Sequence, residues 1–208
     1  MKKIKFVITS ACLAAIMACN PQTQENSETM KAQNEVIETI MARRSIRQYK
    51  PEAVNKETMN IILECGINAP NGMNRQSWEV RVMNDPQVIA KLKEHMVKDN
   101  PQVKPEMVEG CFSNAPTLVF VANDTAYDFS SIDCGLLSEN IMLSAWSLGV
   151  GSVCLASPIR FIKNSPQALE MLGFGQGYNP IICIGLGYAN ETPDAKPRDI
   201  NKVKYVEL

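Results

Sequence analysis

The chain has 208 residues, 45% of them hydrophobic and 21% charged, with a formal net charge of −1. That length carries one domain with a sizeable core, and without a long basic run the composition disfavours a nucleic-acid partner. One histidine and no Cys-x-x-Cys pair leave little from which to build a Ser-His or Cys-His hydrolase, a zinc site or a thioredoxin-like centre.

Residues 1–18 read as an export signal. Met1-Lys2-Lys3-Ile4-Lys5 is a positive start, and Phe6 to Ala18 is an apolar run too short to span a membrane. Ile16-Met17-Ala18-Cys19 resembles a bacterial lipobox, in which the cysteine takes lipid and becomes the new N-terminus; Met17 is unusual at its place. An ordinary secretory signal cleaved near Ala18 is the alternative. Several acyl chains on Cys19 would make a durable membrane anchor. Losing Lys2, Lys3 and Lys5 with the signal takes the formal charge from −1 to −4. Residues 19–34 are polar, lack aromatics and read as a tether; residues 35–208 form the domain.

Val36 to Met41 has helical spacing and leads into Ala42-Arg43-Arg44-Ser45-Ile46-Arg47-Gln48-Tyr49. Three arginines within five positions suit an anionic group, because guanidinium is a planar fork that stays charged. A solvated basic helix end is the plainer reading. Asn55 caps a predicted helix to about Ile67, with Met59, Ile61, Ile62 and Cys65 as its apolar face. Pro70 and Asn71-Gly72 then open a loop rich in amides, through Asn74, Gln76 and Ser77 to Trp78. Glu79 to Met83 is a predicted strand, and Asp85-Pro86 starts a helix to about Lys98.

Pro101 to Asn114 reads as irregular or weakly helical, a candidate mobile flap. Thr117 to Ala122 is an apolar run, as in a strand covered on both faces. Ser130 and Asp133 make a capping pattern for the longest helix, which runs to about Leu148 and is apolar nearly all round. Such a helix needs cover from its own sheet or from a second subunit. Val153 to Leu155 and Ile181 to Leu186 are predicted strands, with a short helix from Ser165-Pro166 to Leu172 between them. Ala189 to Leu208 is a polar tail containing Lys196-Pro197-Arg198, long enough to pack on something, such as a neighbouring subunit. Among the cysteines, Cys134, Cys154 and Cys183 lie in apolar runs and read as core residues; with Cys65 and Cys111 they number five, which cannot all pair. His95, in a charged stretch, reads as solvent-facing. Helices alternating with buried strands imply a helix-flanked mixed sheet.

Arg43-Arg44-Ser45-Ile46-Arg47, the loop from Ala69-Pro70 to Asn74-x-Gln76-x-Trp78, the helix end Leu148-Gly149 and Lys196-Pro197-Arg198, in that order, resemble the FMN-dependent nitroreductase family over about residues 35–208. The resemblance implies an α+β fold, three layers with a mixed, mostly antiparallel sheet, in a homodimer with FMN at the subunit interface. It implies that Arg43, Arg44, Ser45 and Arg47 hold the phosphate, ribityl chain and pyrimidine edge. Pro70, Asn71, Gly72, Asn74 and Gln76 would form the loop that reaches the flavin from the partner, with self-capping of the loop as the plainer role for Asn74 and Gln76. Ala156 and Ser157 would lie near flavin N5, and Lys196 and Arg198 would clamp the phosphate. The family usually has Pro where this chain has Ser77, and a well-known member has an acidic residue where this chain has Ala156. No catalytic side chain is implied, since the flavin carries the chemistry.

The activity implied is ping-pong hydride transfer from NADH or NADPH through FMN to nitroaromatic or quinone-type acceptors. An export signal sits uneasily with that donor, because reduced nicotinamide is scarce outside the cytoplasm. A quinol donor, or an oxidative direction, would remove the conflict. The alternative function is a flavin- or ligand-binding lipoprotein without turnover. A lipid on Cys19 would place the protein at the cell envelope on the periplasmic side; an unused signal would leave it cytoplasmic.

Overall fold

The computed structural model describes residues 34–207. The predicted signal, Cys19 and the tether up to residue 33 lie outside the described residues. The polypeptide from Thr39 onward forms one compact unit.

Local chemistry sets most helix starts. Asn34 Oδ1 accepts the backbone N–H groups of Val36 and Ile37, both at 3.1 Å, at the start of α1 (Glu35–Ala42). Asn55 does the same for α2 (Lys56–Ile67), taking the Thr58 N–H at 2.9 Å. Asp85 caps α3 (Pro86–Asp99) by accepting from Gln87, and Ser165 caps α7 (Pro166–Leu172) by accepting from Ala168; both helices begin with proline, whose missing N–H costs nothing there. A sixth helix, α6 (Ser157–Ile162), was not expected. Its proline sits at the second position and its six residues are too few to show a period.

The segment read as irregular or weakly helical is weakly helical, and it packs into the core rather than forming a loose flap. It holds α4 (Pro105–Glu109) and a 3₁₀ turn over Gly110–Phe112, and Val108 and Phe112 are wholly buried. Phe112 packs edge-on against Phe120 with ring centroids 6.1 Å apart.

Four strands, β1 (Trp78–Met83), β2 (Thr117–Asp124), β3 (Gly151–Leu155) and β4 (Tyr178–Gly187), form one sheet in the order β1-β2-β4-β3, antiparallel throughout. The parallel part of the expected mixed sheet is a single bridge between Ser45 and Ser152. Alternation along the central strands builds the two outer layers. Leu118, Phe120 and Cys183 face a core with α3, α4, α6 and α7; Val119, Val121, Ile184 and Leu186 face one with α2 and α5 (Ser130–Ser147). Helices α2 and α5 meet closely because Gly66 has no side chain: a Cβ there would lie 2.6 Å from Ile141.

Helix α5 is buried along Cys134, Leu137, Ile141 and Ala145, yet Ile132 and Leu136 are exposed. The predicted cap is also absent. Phe129 is the N-cap residue and makes no side-chain cap, while Ser130 and Asp133 are turned to a different use described below. His95 is half-buried, its Nδ1 2.8 Å from Gln167 Oε1.

Cys134 and Cys183 are core residues, as read, and Cys111 joins them, but Cys154 is exposed. Burial pushes the Cys134 thiol from 9.0 up to about 11 and Cys111 to about 12. The sign of the pH effect follows. The fold keeps these protons where the unfolded chain, above pH 9.0, gives them up, so their stabilisation is complete below that pH and is lost as pH rises toward the folded values. The unfolding free energy from urea titration should therefore fall between pH 9 and 11, at up to about 1.4 kcal/mol per pH unit for each thiol. Replacing Cys111 by Ala should flatten that fall; an unchanged slope would reject the assignment.

Candidate functional site

The arginine stretch is stitched to the sheet edge as an irregular ribbon. The Ile46 N–H donates to the Ser152 carbonyl at 3.0 Å beside the Ser45–Ser152 bridge. Further along, the Lys50 N–H donates to the Tyr188 carbonyl and the Asn190 N–H to the Gln48 carbonyl, both at 2.9 Å. Ile46 is buried, and the Tyr49 hydroxyl donates to the Ile46 carbonyl at 2.5 Å and lies 3.3 Å from that of Gly185. Burial, then the Glu191 carboxylate, push that hydroxyl's pKa well up, so it stays a donor. Glu191 accepts the N–H groups of Arg47 and Gln48, which ties the root of the C-terminal tail to the same segment.

On this frame the guanidinium groups are held by carbonyls. Arg44 Nη1 donates to the carbonyls of Met41 (2.7 Å) and Arg43 (2.9 Å), closing the end of α1. Arg47 Nη1 reaches the Ser45 carbonyl at 3.3 Å, and Arg198 Nη1 those of Lys196 and Pro197 at 3.1 and 3.5 Å. Arg43 has a carboxylate, Glu139, at 3.8 Å, a half-exposed pair worth at most about 1 kcal/mol. Among the described residues no carboxylate pairs with Arg44, Arg47, Lys196 or Arg198. These cations make no ion pair there, although the Glu191 carboxylate sits on the Arg47 backbone N–H, and groups so free suit a phosphate. Cys154 lies by the Arg43–Glu139 pair; burial and then Glu139 raise its pKa while Arg43 lowers it.

Ala156 and Ser157 belong to the same edge. Ala156 follows β3 four residues from Ser152, roughly 13 Å along the strand, and both residues are exposed at the start of α6. Nothing further joins Lys196 or Arg198 to the Arg43–Arg47 segment among the described residues.

The amide loop is elsewhere. Asn71 Oδ1 accepts the Gln76 N–H at 3.0 Å, folding the loop on itself around a 3₁₀ turn over Gly72–Asn74. Met73, Asn74 and Gln76 all have positive φ, at 52°, 53° and 49°. Each such non-glycine residue costs on the order of 1 kcal/mol or more, and strain of this kind persists only where surroundings enforce it. Gly72 is where they do so most tightly. Its N–H donates to Asp133 Oδ1 at 3.0 Å, and a Cβ would fall 2.1 Å from the Tyr127 hydroxyl. Arg75 stacks over the Tyr127 ring, 4.3 Å from its centroid. Pro70, Asn74 and Gln76 are exposed. The Asn74 and Gln76 amides touch each other only at 3.5 Å, so self-capping leaves most of their donors and acceptors free.

The loop and the arginines lie at opposite ends of one sheet. Ser152, bridged to Ser45, pairs with Leu186; the loop ends at Ser77, whose carbonyl takes the N–H of Asp124, paired with Tyr178. Eight residues of β4 separate those levels, roughly 26 Å. Sequence reasoning missed Glu191 and Tyr127 and read Asp133 as part of a helix cap. Glu191 is 144 positions from Arg47 and carries no local signal. Asp133 does carry one, an acid on the buried face of an apolar helix. The open cleft of about 820 Å³ between α3 and α4 contains none of the expected residues, and its rim of Lys93, Lys98, Glu94, Glu106 and Glu109 is nearly balanced in charge.

The chain is similar to known proteins in sequence and fold. Residues 40–188 match the sequence model described as the Nitroreductase family. A nitroreductase with bound FMN from Bacteroides fragilis superposes with a TM-score of 0.75 at 28% identity, over 84% of this chain and all of that one. One from Desulfitobacterium hafniense, also with bound FMN, gives 0.75 at 30% identity over the same shares. The FMN reductase [NAD(P)H] of Bacillus subtilis is 27% identical over 179 residues, 79% of this chain and 70% of that protein.

Proposed function

The chain belongs to the nitroreductase family, and from that membership we propose that it is an FMN-dependent oxidoreductase, drawing electrons from NADH or NADPH and reducing nitroaromatic or quinone-type acceptors in ping-pong turnover. The observation that carries the reading is the group of carbonyl-held, carboxylate-free guanidiniums at the β3 edge, beside the exposed start of α6. FMN held there would supply the redox chemistry that links donor and acceptor. Arg44, Arg47, Lys196 and Arg198 offer the charge that its phosphate and its reduced pyrimidine edge require. Asn74 and Gln76 offer amides to a ring edge that both donates and accepts. Ala156 has only its backbone N–H to present, so no side-chain acid acts there.

The site is shared between two copies of the chain. The 26 Å or so between loop and arginines is met most simply if each flavin takes its arginines from one protomer and its loop from the other. The exposed Ile132 and Leu136 of α5 and the exposed Ile200, Val203, Tyr205 and Val206 of the otherwise polar tail would be covered in the same assembly.

An absorbance scan and an anaerobic titration test this. The purified protein should be yellow, and NADH or NADPH should bleach the flavin band, which a nitroaromatic or quinone then restores. A colourless protein that takes up no FMN overturns the reading; a yellow protein that neither nicotinamide nor a quinol bleaches is a flavin carrier instead. Attachment to the cell envelope through lipid on Cys19 belongs to the same proposal. Cys19→Ala should move the protein from the membrane fraction to the soluble one, and unchanged membrane association would rule the anchor out.

A further inference from the structure

We propose that Asp133 is the positioning residue of the flavin loop, holding residues 71–77 in their strained shape from the first turn of α5. This rests on the FMN reading above. Asp133 is 3% exposed, and both its oxygens are spent on the loop: Oδ1 accepts the Gly72 N–H at 3.0 Å and Oδ2 the Ser77 hydroxyl at 2.9 Å. Ser130, one turn earlier, donates its hydroxyl to the Ser77 carbonyl and accepts the Asp124 N–H at 2.9 Å. The two residues that look like a cap for α5 thus serve the loop instead.

The loop needs such a hold. Met73, Asn74 and Gln76 sit in the left-handed region without being glycine, and a short chain so strained relaxes unless its ends are fixed. Asp133 fixes both ends. Gly72 precedes the strained residues and Ser77 follows them, so one buried carboxylate staples positions five apart. A carboxylate is suited to this because it accepts through two oxygens and donates nothing. At position 77, where the loop joins β1, this chain has a hydroxyl, and that hydroxyl is bound to Asp133.

The consequence is specific to the ring end of the flavin. The loop's one cation, Arg75, is stacked on Tyr127, and the loop reaches the flavin through amides, so loosening it should weaken FMN and riboflavin equally. Asp133→Ala should lower both affinities roughly tenfold or more. Asp133→Asn keeps an acceptor for Gly72, and its amide can donate to the Ser77 hydroxyl, so it should restore both to within a few-fold of wild type. The loop can also be read without flavin. Trypsin should cut the Arg75–Gln76 bond faster in apo Asp133→Ala than in apo wild type or Asp133→Asn. If Asp133→Ala fails to fold, Ser77→Ala removes one of the two bonds and carries the same comparison. Wild type that binds neither flavin overturns the FMN reading and this assignment with it. Wild type that binds both, with a variant that loses thermal stability but keeps both affinities and the wild-type cleavage rate, overturns the assignment alone and leaves Asp133 a structural residue.

Discussion

Ending the chain after Asp199 should convert the protein to monomers and cost it its flavin. The deleted segment exposes Ile200, Val203, Tyr205 and Val206 by 75%, 68%, 93% and 96%. Four large apolar side chains so exposed within seven positions are unusual for an isolated surface and mark a surface meant for cover. A second copy of the chain is the cover that the proposed shared site calls for. The truncation leaves Lys196, Arg198 and Glu191 in place, so the phosphate cations and the tie to Arg47 survive. In the dimer proposed above, what it removes is the contact that brings the partner's loop. A monomer then keeps the arginines and lacks the amides, and FMN binding should weaken by roughly a hundredfold or more if several hydrogen bonds of about 1 kcal/mol each are lost. Wild type should also melt at higher temperature as its concentration rises, because dimerisation adds stability by mass action, and the truncated chain should not. Sedimentation of both at micromolar concentration decides the matter. A truncated chain that remains a flavin-loaded dimer removes the tail from the interface.

What could be read in the sequence was what local chemistry decides. Asn55, Asp85 and Ser165 start helices because a side-chain acceptor lies two or three residues before unpaired N–H groups, an arrangement visible in a string of letters. The runs at Thr117 and Ile181 read as strands covered on both faces, and they are the two central strands of the sheet. The failures share one cause. α4 and α6 are five and six residues long, too short for a period, and long-range packing of Phe112 rather than helix propensity orders the segment read as a flap. Cys154 lies in an apolar run but on an edge strand beside Arg43, so it is exposed. The loop is the instructive case. Asn71-Gly72 announces a turn, yet the left-handed residues are Met73, Asn74 and Gln76, because Gly72 is needed for its close approach to Tyr127. The cationic cluster was legible as composition. The 26 Å or so between it and the loop was not, since separation depends on strand order and register, which no local signal records.

Replacing Arg198 by Ala should weaken FMN binding ten- to a hundredfold and leave riboflavin untouched. Arg198 is exposed, donates only to the carbonyls of Lys196 and Pro197, and has no carboxylate partner among the described residues. Its charge is therefore available, and little in the protein depends on it. A charge-assisted bond to phosphate is worth about 1.5–3 kcal/mol, and about 1.4 kcal/mol is a factor of ten. Riboflavin lacks the phosphate, so it should bind wild type and variant alike, and this contrast separates the clamp from the loop, where both flavins should suffer together. Added salt should narrow the FMN difference, since an exposed guanidinium is screened over about 10 Å at 0.1 M. Equilibrium binding of both flavins, followed by fluorescence, supplies the comparison. If the variant loses riboflavin as badly as FMN, Arg198 supports the fold through the tail. If it loses neither, Arg198 is a solvated charge, and the phosphate rests on the arginines of the β3 edge alone.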